Sequence, residues 1–230
     1  MKRPPARLIA RYGIREMMGL AVMGAALFWA AGTLTWWQAW ATLGIMLVWI
    51  LGTAWVVIFK FPALLIERLG PRKGAKLWDT VIMSLLGLLQ LARYVIAGLD
   101  FRNHWTTGIT LSAQLPALLF CALGYALVLW ATYSNAYFSQ IVRIQREKGQ
   151  TVASGGPYRF IRHPAYLGAA VFELCSPLLL GSVWAFIPSF FCAALLVLRT
   201  ALEDRTLQAE LPGYLEYTRQ VRNRLLPGIW

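Results

Sequence analysis

Long apolar runs are the feature that most restricts how this chain of 230 residues can fold. A helix needs about 20 predominantly apolar residues to cross the hydrocarbon core of a bilayer. The overall content of 58% hydrophobic residues, with eleven Trp, also exceeds that of a soluble domain of this size. The runs predict membrane spans at residues 17–35, 39–59, 78–98, 115–137, 165–180 and 183–199.

The last two runs are short, and Pro177, Gly181 and Ser182 supply a turn between them. They predict a helical hairpin that spans the bilayer fully or is partly re-entrant. We therefore predict an all-α, polytopic membrane bundle of five to six spans with cofactor-binding loops on the cytoplasmic side. Residues 1–134 would supply the N-terminal transmembrane helices, and residues 135–230 a C-terminal catalytic region.

The charge distribution predicts the topology. The net charge is +12, and basic residues collect before the first span, between the second and third, between the fourth and fifth, and in the tail. The intervening loops, "GTLTWWQA" and "DFRNHWTTG", contain a single Arg. By the positive-inside rule, we expect both termini and the cofactor-binding loops, which would form the active site, on the cytoplasmic side. The membrane is interpreted as a bacterial inner membrane. The basic excess indicates topology and attraction to the lipid bilayer, with no nucleic acid as partner.

The sequence offers few classes of cofactor site. Gly-x-Gly-x-x-Gly and P-loop motifs are absent, and the longest polar interval, 26 residues from Ser139 to Pro164, is too short for a nucleotide-binding βαβ unit. Two His and three isolated Cys, interpreted as packing residues, suggest neither a metal site nor a disulfide framework. A cofactor would have to be held by helix ends and loops at the cytoplasmic face.

One polar stretch, "GGPYRFIRHPAYLG" from Gly155 to Gly168, stands at the start of the fifth predicted span. Pro164 disfavours helical geometry at His163 and suits the first helical position, so a helix should begin there. A helix N-terminus attracts anions. With Arg162 and His163 beside it, this N-terminus is a candidate binding site for a carboxylate or phosphate. The alternative is that the arginines are interfacial anchors and the glycines only turn residues.

Inside the same span, Glu173 follows Tyr166 by two helical turns, which predicts that they share a face bearing the small residues Ala169 and Ala170. An ionisable side chain within the membrane is a functional-site candidate. The alternative is a protonated Glu173 hydrogen-bonded to a neighbouring helix.

The end of the last span carries a second group of polar residues. Arg199 and Glu203 are four residues apart and can meet on one helix face, with Asp204 one position further round. Two adjacent carboxylates beneath the membrane, facing a basic helix mouth, can hold a cationic cofactor.

Beyond this group, Pro212 and Gly213 should end the helix. Tyr214, Tyr217 and Val221 then form a stripe that suits a short amphipathic segment lying on the bilayer.

These segments resemble a known family. "GGPYRFIRHPAYLG", followed by "RTALEDRTL", "GYLEY" and "VRNRLLP", is similar to the C-terminal half of the isoprenylcysteine carboxyl methyltransferases and their relatives among integral membrane phospholipid methyltransferases. The similarity extends from about Asn135 to Pro227. It implies a methyltransferase that uses S-adenosylmethionine and a lipophilic or small-molecule acceptor, without a metal.

The resemblance also implies roles for individual residues. Arg199 would orient the acceptor, with Asp204 as a second catalytic residue. The residues implied in cofactor binding are Gln145, Gln150, Val152, Tyr158, His163, Tyr166, Leu167, Glu203 and Asp204. This chain departs from the family pattern at Gln150, where the eukaryotic enzymes have a histidine, and at Asp204, where many members have a second glutamate.

Several functions remain open at this point. The acceptor can be the carboxylate of a prenylated cysteine or a small thiol, for which a cationic partner suffices, or a phospholipid amine, which needs a base such as Glu203, Asp204 or Glu173. A membrane reductase with a nicotinamide cofactor and a non-catalytic membrane protein or transporter are the other two classes.

Overall fold

Eight α-helices account for most of the chain in the computed structural model, which describes residues 4–70 and 74–230. They are α1 (Ala6–Ala31), α2 (Trp37–Trp55), α3 (Pro62–Leu69), α4 (Leu77–Asn103), α5 (Leu111–Ser134), α6 (Pro164–Leu180), α7 (Phe186–Glu210) and α8 (Tyr214–Gln220). A π-helical turn, Val56–Lys60, extends α2, and single 3-10 turns form at Arg146–Lys148 and Gly156–Arg159. Within these described ranges there is no strand, so the predicted all-α fold is confirmed.

Five of the helices are long and apolar enough to cross a membrane: α1, α2 with its π turn, α4, α5 and α7. The remaining predicted span corresponds to α6, which has only 17 residues. The last predicted span, residues 183–199, belongs to α7, which continues beyond the span to Glu210 and ends just before Pro212 and Gly213, as predicted. Glu203 and Asp204 are therefore held on the same rigid helix as Arg199.

The predicted turn between the last two spans is present. Gly181 ends α6 with φ of +75°, a left-handed conformation that glycine adopts without steric cost. The amide of Ser182 then donates to the carbonyl of Pro177 at 2.9 Å. Helices α6 and α7 form a hairpin that packs against α4, and α6 also packs along α5.

Glycine allows α5 and α6 to pack with their backbones in close approach. A Cβ atom added at Gly124 would lie 2.5 Å from the carbonyl oxygen of Gly168, which no side chain could tolerate. In a bilayer, where lipid is as apolar as a side chain, such close van der Waals contact is a main source of helix association. The crossing holds α6, and with it the "RHPAY" segment, against the core of the bundle.

The charged loops gather at one end of the bundle. Lys76, before α4, contacts Glu210 at the end of α7 (Nζ to Oε1, 2.5 Å), and Arg143 contacts Glu67 of α3 at 2.7 Å. Arg15 of α1 donates to the carbonyl of Arg68 at 2.5 Å. We call the end of the bundle where these charged loops gather the basic end. The loops for which the charge pattern predicted a common face do lie together, although Lys2, Arg3, Arg72 and Lys73 fall outside the described residues.

The prediction that the stripe of Tyr214, Tyr217 and Val221 lies on the bilayer is wrong. Tyr214, Tyr217 and Val221 are 4, 5 and 9% exposed and pack on Ile144, Val152 and Leu207. The apolar stripe of α8 is therefore turned toward the protein, where it covers the loop that precedes α6. The division of the chain at residue 135 stays a prediction.

Candidate functional site

The start of α6 is as the sequence predicts. His163 has φ of −127° and precedes Pro164, the first helical residue, while the amides of Tyr166 and Leu167 donate to the His163 carbonyl at 3.1 and 3.3 Å. The chain after α8 pairs with the residues ahead of this helix, since the amides of Arg162 and His163 donate to the carbonyls of Asn223 and Arg224 at 3.0 and 2.9 Å. The tail thereby closes over the mouth of α6.

A carboxylate does lie at this helix mouth, and it comes from the protein itself. Asp204 is fully buried and accepts hydrogen bonds from Arg162 (2.8 and 3.0 Å), Arg224 (2.9 Å), Tyr214 (3.0 Å) and Gln208 (2.7 Å), with His163 Nε2 at 3.3 Å. We call these six residues the Asp204 cluster. Two guanidinium groups compensate the charge of Asp204.

Glu203, the preceding residue, has far fewer partners. It is partly exposed, and its Oε2 accepts the hydroxyl hydrogen of Tyr166. The Tyr166 ring is stacked on His163, with centroids 5.8 Å apart and an interplanar angle of 8°. The guanidinium carbon of Arg199 lies 5.1 Å from the centroid of the same ring. Tyr166 therefore lies between Glu203 on one side and His163 and Arg199 on the other.

Arg199 is anchored on another helix. Its Nε donates to Asp79 Oδ1 of α4 at 2.7 Å, and its Nη2 donates to the carbonyl of Gln140 at 3.0 Å. Asp79 is fully buried, and its other oxygen accepts the Val142 amide at 2.8 Å. We call Asp79, Tyr166, Arg199 and Glu203 the Arg199 group. Arg199 reaches Glu203 through Tyr166 rather than by the direct contact that their spacing predicts.

The loop between α5 and α6 is held by its glutamines. Gln145 is 1% exposed, and its side-chain Nε2 donates to the Tyr137 carbonyl at 2.9 Å. The backbone amide of Gln145 donates to Gln150 Oε1 at 2.7 Å. Gln150 thus closes the turn at Arg146–Lys148, and Val152 packs against α8. These contacts show how the loop is shaped; binding of a cofactor by it stays a prediction.

Two further predicted residues flank this loop. Tyr158 is buried against Val128 and Ala165, and its carbonyl accepts the Tyr217 hydroxyl hydrogen at 2.7 Å. Burial raises the pKa of both phenols, so both hydroxyl groups remain protonated at physiological pH. Leu167 is partly buried in the first turn of α6.

The sequence argument missed two charged residues within the third predicted span. Asp79 is one. The other is Arg93, fully buried, which donates to Glu173 together with Gln90 (Nε2 to Oε1, 2.8 Å). Glu173 thus faces α4, whereas Tyr166 bonds to α7, so the two do not act as one group. The sequence did contain a signal for them, because Asp79 and Arg93 are the two charged residues in the otherwise apolar run 78–98.

Comparison with known proteins agrees with the motifs. The family model described as the isoprenylcysteine carboxyl methyltransferase (ICMT) family matches residues 117–209. A protein-S-isoprenylcysteine O-methyltransferase from Schizosaccharomyces pombe is 30% identical over 128 residues, which are 48% of this chain and 54% of that relative. The chain thus spans about half the length of the curated relative that it matches.

The matched region contains all of α6 and nearly all of α7, and so three members of the Arg199 group and the central carboxylate of the Asp204 cluster. The nicotinamide-dependent and non-catalytic alternatives receive no support from either comparison. The resemblance indicated by the motifs is confirmed for residues 117–209, the region that matches the model of the isoprenylcysteine carboxyl methyltransferase family.

Proposed function

We propose that the protein is an integral membrane methyltransferase that transfers a methyl group from S-adenosylmethionine to the carboxylate of a prenylated cysteine. One observation carries the proposal: within residues 117–209, a free carboxylate oxygen and a buried cation lie on either side of Tyr166. One oxygen of Glu203 accepts no hydrogen bond from any described residue. The buried guanidinium of Arg199 lies against the ring of Tyr166, whose hydroxyl bonds to the other oxygen of Glu203. The site thus has an anionic place for the donor next to a cationic place for the acceptor.

The chemistry of the donor fits these residues. S-adenosylmethionine carries a sulfonium and an ammonium, which need carboxylate or aromatic groups, and a carboxylate, which needs donors. Glu203 and Tyr166 meet the first need. Asp204 does not, because five side chains of the protein already surround it at hydrogen-bond distance.

We therefore assign donor contact to Glu203 and a positioning role to Asp204, which holds the mouth of α6 and the tail together. The other predicted donor contacts are Gln145, Gln150, Val152, Tyr158, His163 and Leu167.

Arg199 suits an anionic acceptor. Its Nε is committed to Asp79, while its Nη1 donates to no described residue, so part of the guanidinium fork remains for a carboxylate. The anchored fork limits the motion of a bound carboxylate, which matters because methyl transfer depends on a collinear approach. S-adenosylmethionine supplies the electrophilic methyl group. A carboxylate acceptor is already ionised and requires no general base from the protein.

Label transfer tests the assignment. Purified full-length protein is incubated with methyl-labelled S-adenosylmethionine and S-farnesylcysteine, and labelled ester is counted. Glu203→Gln should lower kcat/KM by about tenfold or more, the cost of losing a hydrogen-bonded charge. The matched control is Glu216→Gln, an exposed glutamate of α8 without a hydrogen bond among the described residues, which should retain wild-type activity.

Two results would contradict the proposal. Equal activity of Glu203→Gln and Glu216→Gln would remove Glu203 from the donor site. Label that passes from wild-type protein to a phospholipid amine or a small thiol, and none to S-farnesylcysteine, would replace the acceptor while leaving the methyltransferase assignment in place.

We further propose that the basic end faces the cytoplasm, because Lys and Arg are enriched in cytoplasmic loops. Single cysteines introduced at Asn103, the end of α4, and at Gly149, in the loop before α6, lie at opposite ends of the bundle. Gly149 should then be labelled only from the cytoplasmic side, and the reverse pattern would contradict this orientation. A bacterial inner membrane as the location stays a prediction.

A further inference from the structure

A cavity of about 410 Å³ opens at the basic end, away from Tyr166 and Glu203. It lies between the start of α1, the end of α3 and the segment that follows α5. Its lining includes Arg11, Ile14, Arg15, Met18, Glu67 and Arg68. Three of these residues are arginines.

Arg68 is the least compensated of the buried charges in this cavity. It is 8% exposed, and its one side-chain hydrogen bond to a described residue is with the Tyr12 hydroxyl at 3.4 Å. Its Nε is buried without a partner among the described residues. The six residues outside the description, 1–3 and 71–73, contain no acidic side chain. Because a buried guanidinium without a counter-ion is costly, an anion in the cavity would compensate Arg68.

The other charges of the lining leave a positive excess. Glu67 is the one acidic residue of the lining, and its carboxylate is already bound by Arg143 (both contacts 2.7 Å) and Lys148 (2.5 Å). Arg15 is held by Glu16 and by the Arg68 carbonyl. Arg11 is exposed and makes no hydrogen bond to a described residue. Arg11 and Arg68 thus remain available to a ligand.

The apolar part of the lining indicates where the anion comes from. Ile14 and Met18 follow Arg11 and Arg15 on α1 and are 67 and 60% exposed. In a membrane helix, exposed apolar side chains of this kind face acyl chains. Arginines at the level of the interface with apolar residues directly beyond them match an amphiphile whose phosphate lies above its chains.

We propose that this cavity binds the phosphate group of an anionic phospholipid, with Arg68 and Arg11 as its ligands and Ile14 and Met18 against the acyl chains. Guanidinium groups pair with phosphate through two parallel N–H···O bonds, which an ammonium cannot reproduce. The site is separate from the proposed donor and acceptor positions. Gln140 connects the two, because it lines the cavity and its carbonyl accepts from Arg199.

Native mass spectrometry of the full-length protein in neutral detergent tests the proposal, with dioleoylphosphatidylglycerol as the titrated lipid. Arg68→Gln should weaken binding by about tenfold or more and Arg11→Gln by about fivefold, as expected for the loss of charge-assisted hydrogen bonds. Arg7→Gln is the matched control, because Arg7 is an exposed arginine one turn earlier on α1 that does not line the cavity. It should change the affinity by less than about twofold.

The exposed position of Arg11 keeps the test decisive if Arg68→Gln does not fold. Equal lipid affinity in Arg11→Gln and Arg7→Gln would overturn the proposal. Inorganic phosphate and S-farnesylcysteine are then added as competitors. Displacement by inorganic phosphate would identify free phosphate as the ligand, displacement by S-farnesylcysteine would make the cavity part of the acceptor site, and either result overturns the lipid assignment. Retention of the lipid against both supports it.

Discussion

Glu203 and Asp204 are consecutive residues of one helix, yet they belong to regions with opposite properties. The Asp204 carboxylate is fully buried and surrounded by donors from five side chains. The Glu203 carboxylate is partly exposed and, within residues 4–70 and 74–230, accepts one hydrogen bond, from Tyr166. Successive residues of an α-helix point about 100° apart, so one acid faces the tail and α8 and the other faces the first turn of α6.

The difference separates stability from ligand binding. A carboxylate with all of its hydrogen-bonding capacity filled stabilises the fold and has nothing left for a ligand. A carboxylate with a free oxygen beside an aromatic ring can bind a cation without first losing a partner. The comparison therefore predicts that substitution of Asp204 changes stability first, and substitution of Glu203 changes donor binding or turnover first.

The largest expected effect is that of Asp204→Asn. It leaves Arg162 and Arg224 without a counter-ion, and removing one partner of a buried ion pair costs about 3 to 5 kcal/mol. Thermal unfolding in detergent should show a Tm several degrees below wild type, whereas Glu203→Gln should unfold within about one degree of it. An Asp204→Asn protein with wild-type Tm and reduced donor affinity would reverse the roles of the two acids.

Arg199→Ala is expected to have the next largest effect, on turnover. If the guanidinium holds the acceptor carboxylate, kcat should fall by about a hundredfold while the donor Kd, measured by calorimetry, changes by less than about threefold. Arg199→Lys should not restore turnover, because an ammonium lacks the planar fork. A parallel loss of donor affinity would show that Arg199 only supports Tyr166 and Glu203.

Tyr166→Phe is expected to have a smaller effect. It removes one hydrogen bond to Glu203 but retains the ring beneath Arg199 and beside His163, so the donor Kd should rise by about three- to tenfold, near 1 kcal/mol. Tyr133→Phe, on an exposed tyrosine of α5, is the control and should leave the Kd unchanged. Unchanged donor affinity in Tyr166→Phe would mean that Glu203 needs no orientation by Tyr166.

The smallest expected effect depends on pH and concerns Glu67, outside the spans. Hydrogen bonds from Arg143 lower the pKa of its carboxyl from an ordinary 4.5 to about 2, with Lys148 adding to the shift. The stabilisation is fully present above pH 4.5 and is lost as the pH falls toward 2. The Tm difference between wild type and Glu67→Gln should therefore shrink below pH 4.5. A difference that stays constant from pH 6 to 3 would show that the ion pairs of Glu67 contribute nothing to stability.

Local signals carried much of the correct prediction. Pro164 placed the start of α6 and Gly181 its end, because both residues act on the backbone of their own turn. Hydrophobic length located the helices, and charge identified the loops that gather at the basic end. The stripe of Tyr214 and Tyr217 was misassigned because periodicity marks an apolar face without stating whether lipid or protein covers it.

The sequence by itself determined that this is an all-α membrane protein with the motifs of a methyltransferase family at one end of a helical hairpin. Only the tertiary structure decided which charges pair. Asp79 meets Arg199 across 120 positions of the sequence, Arg93 meets Glu173 across 80, and Arg162 meets Asp204 across 42. The reason is physical: helix propensity, caps and hydrophobic length act within a few residues, whereas the partner of a buried charge depends on how separate helices cross, which no local pattern encodes.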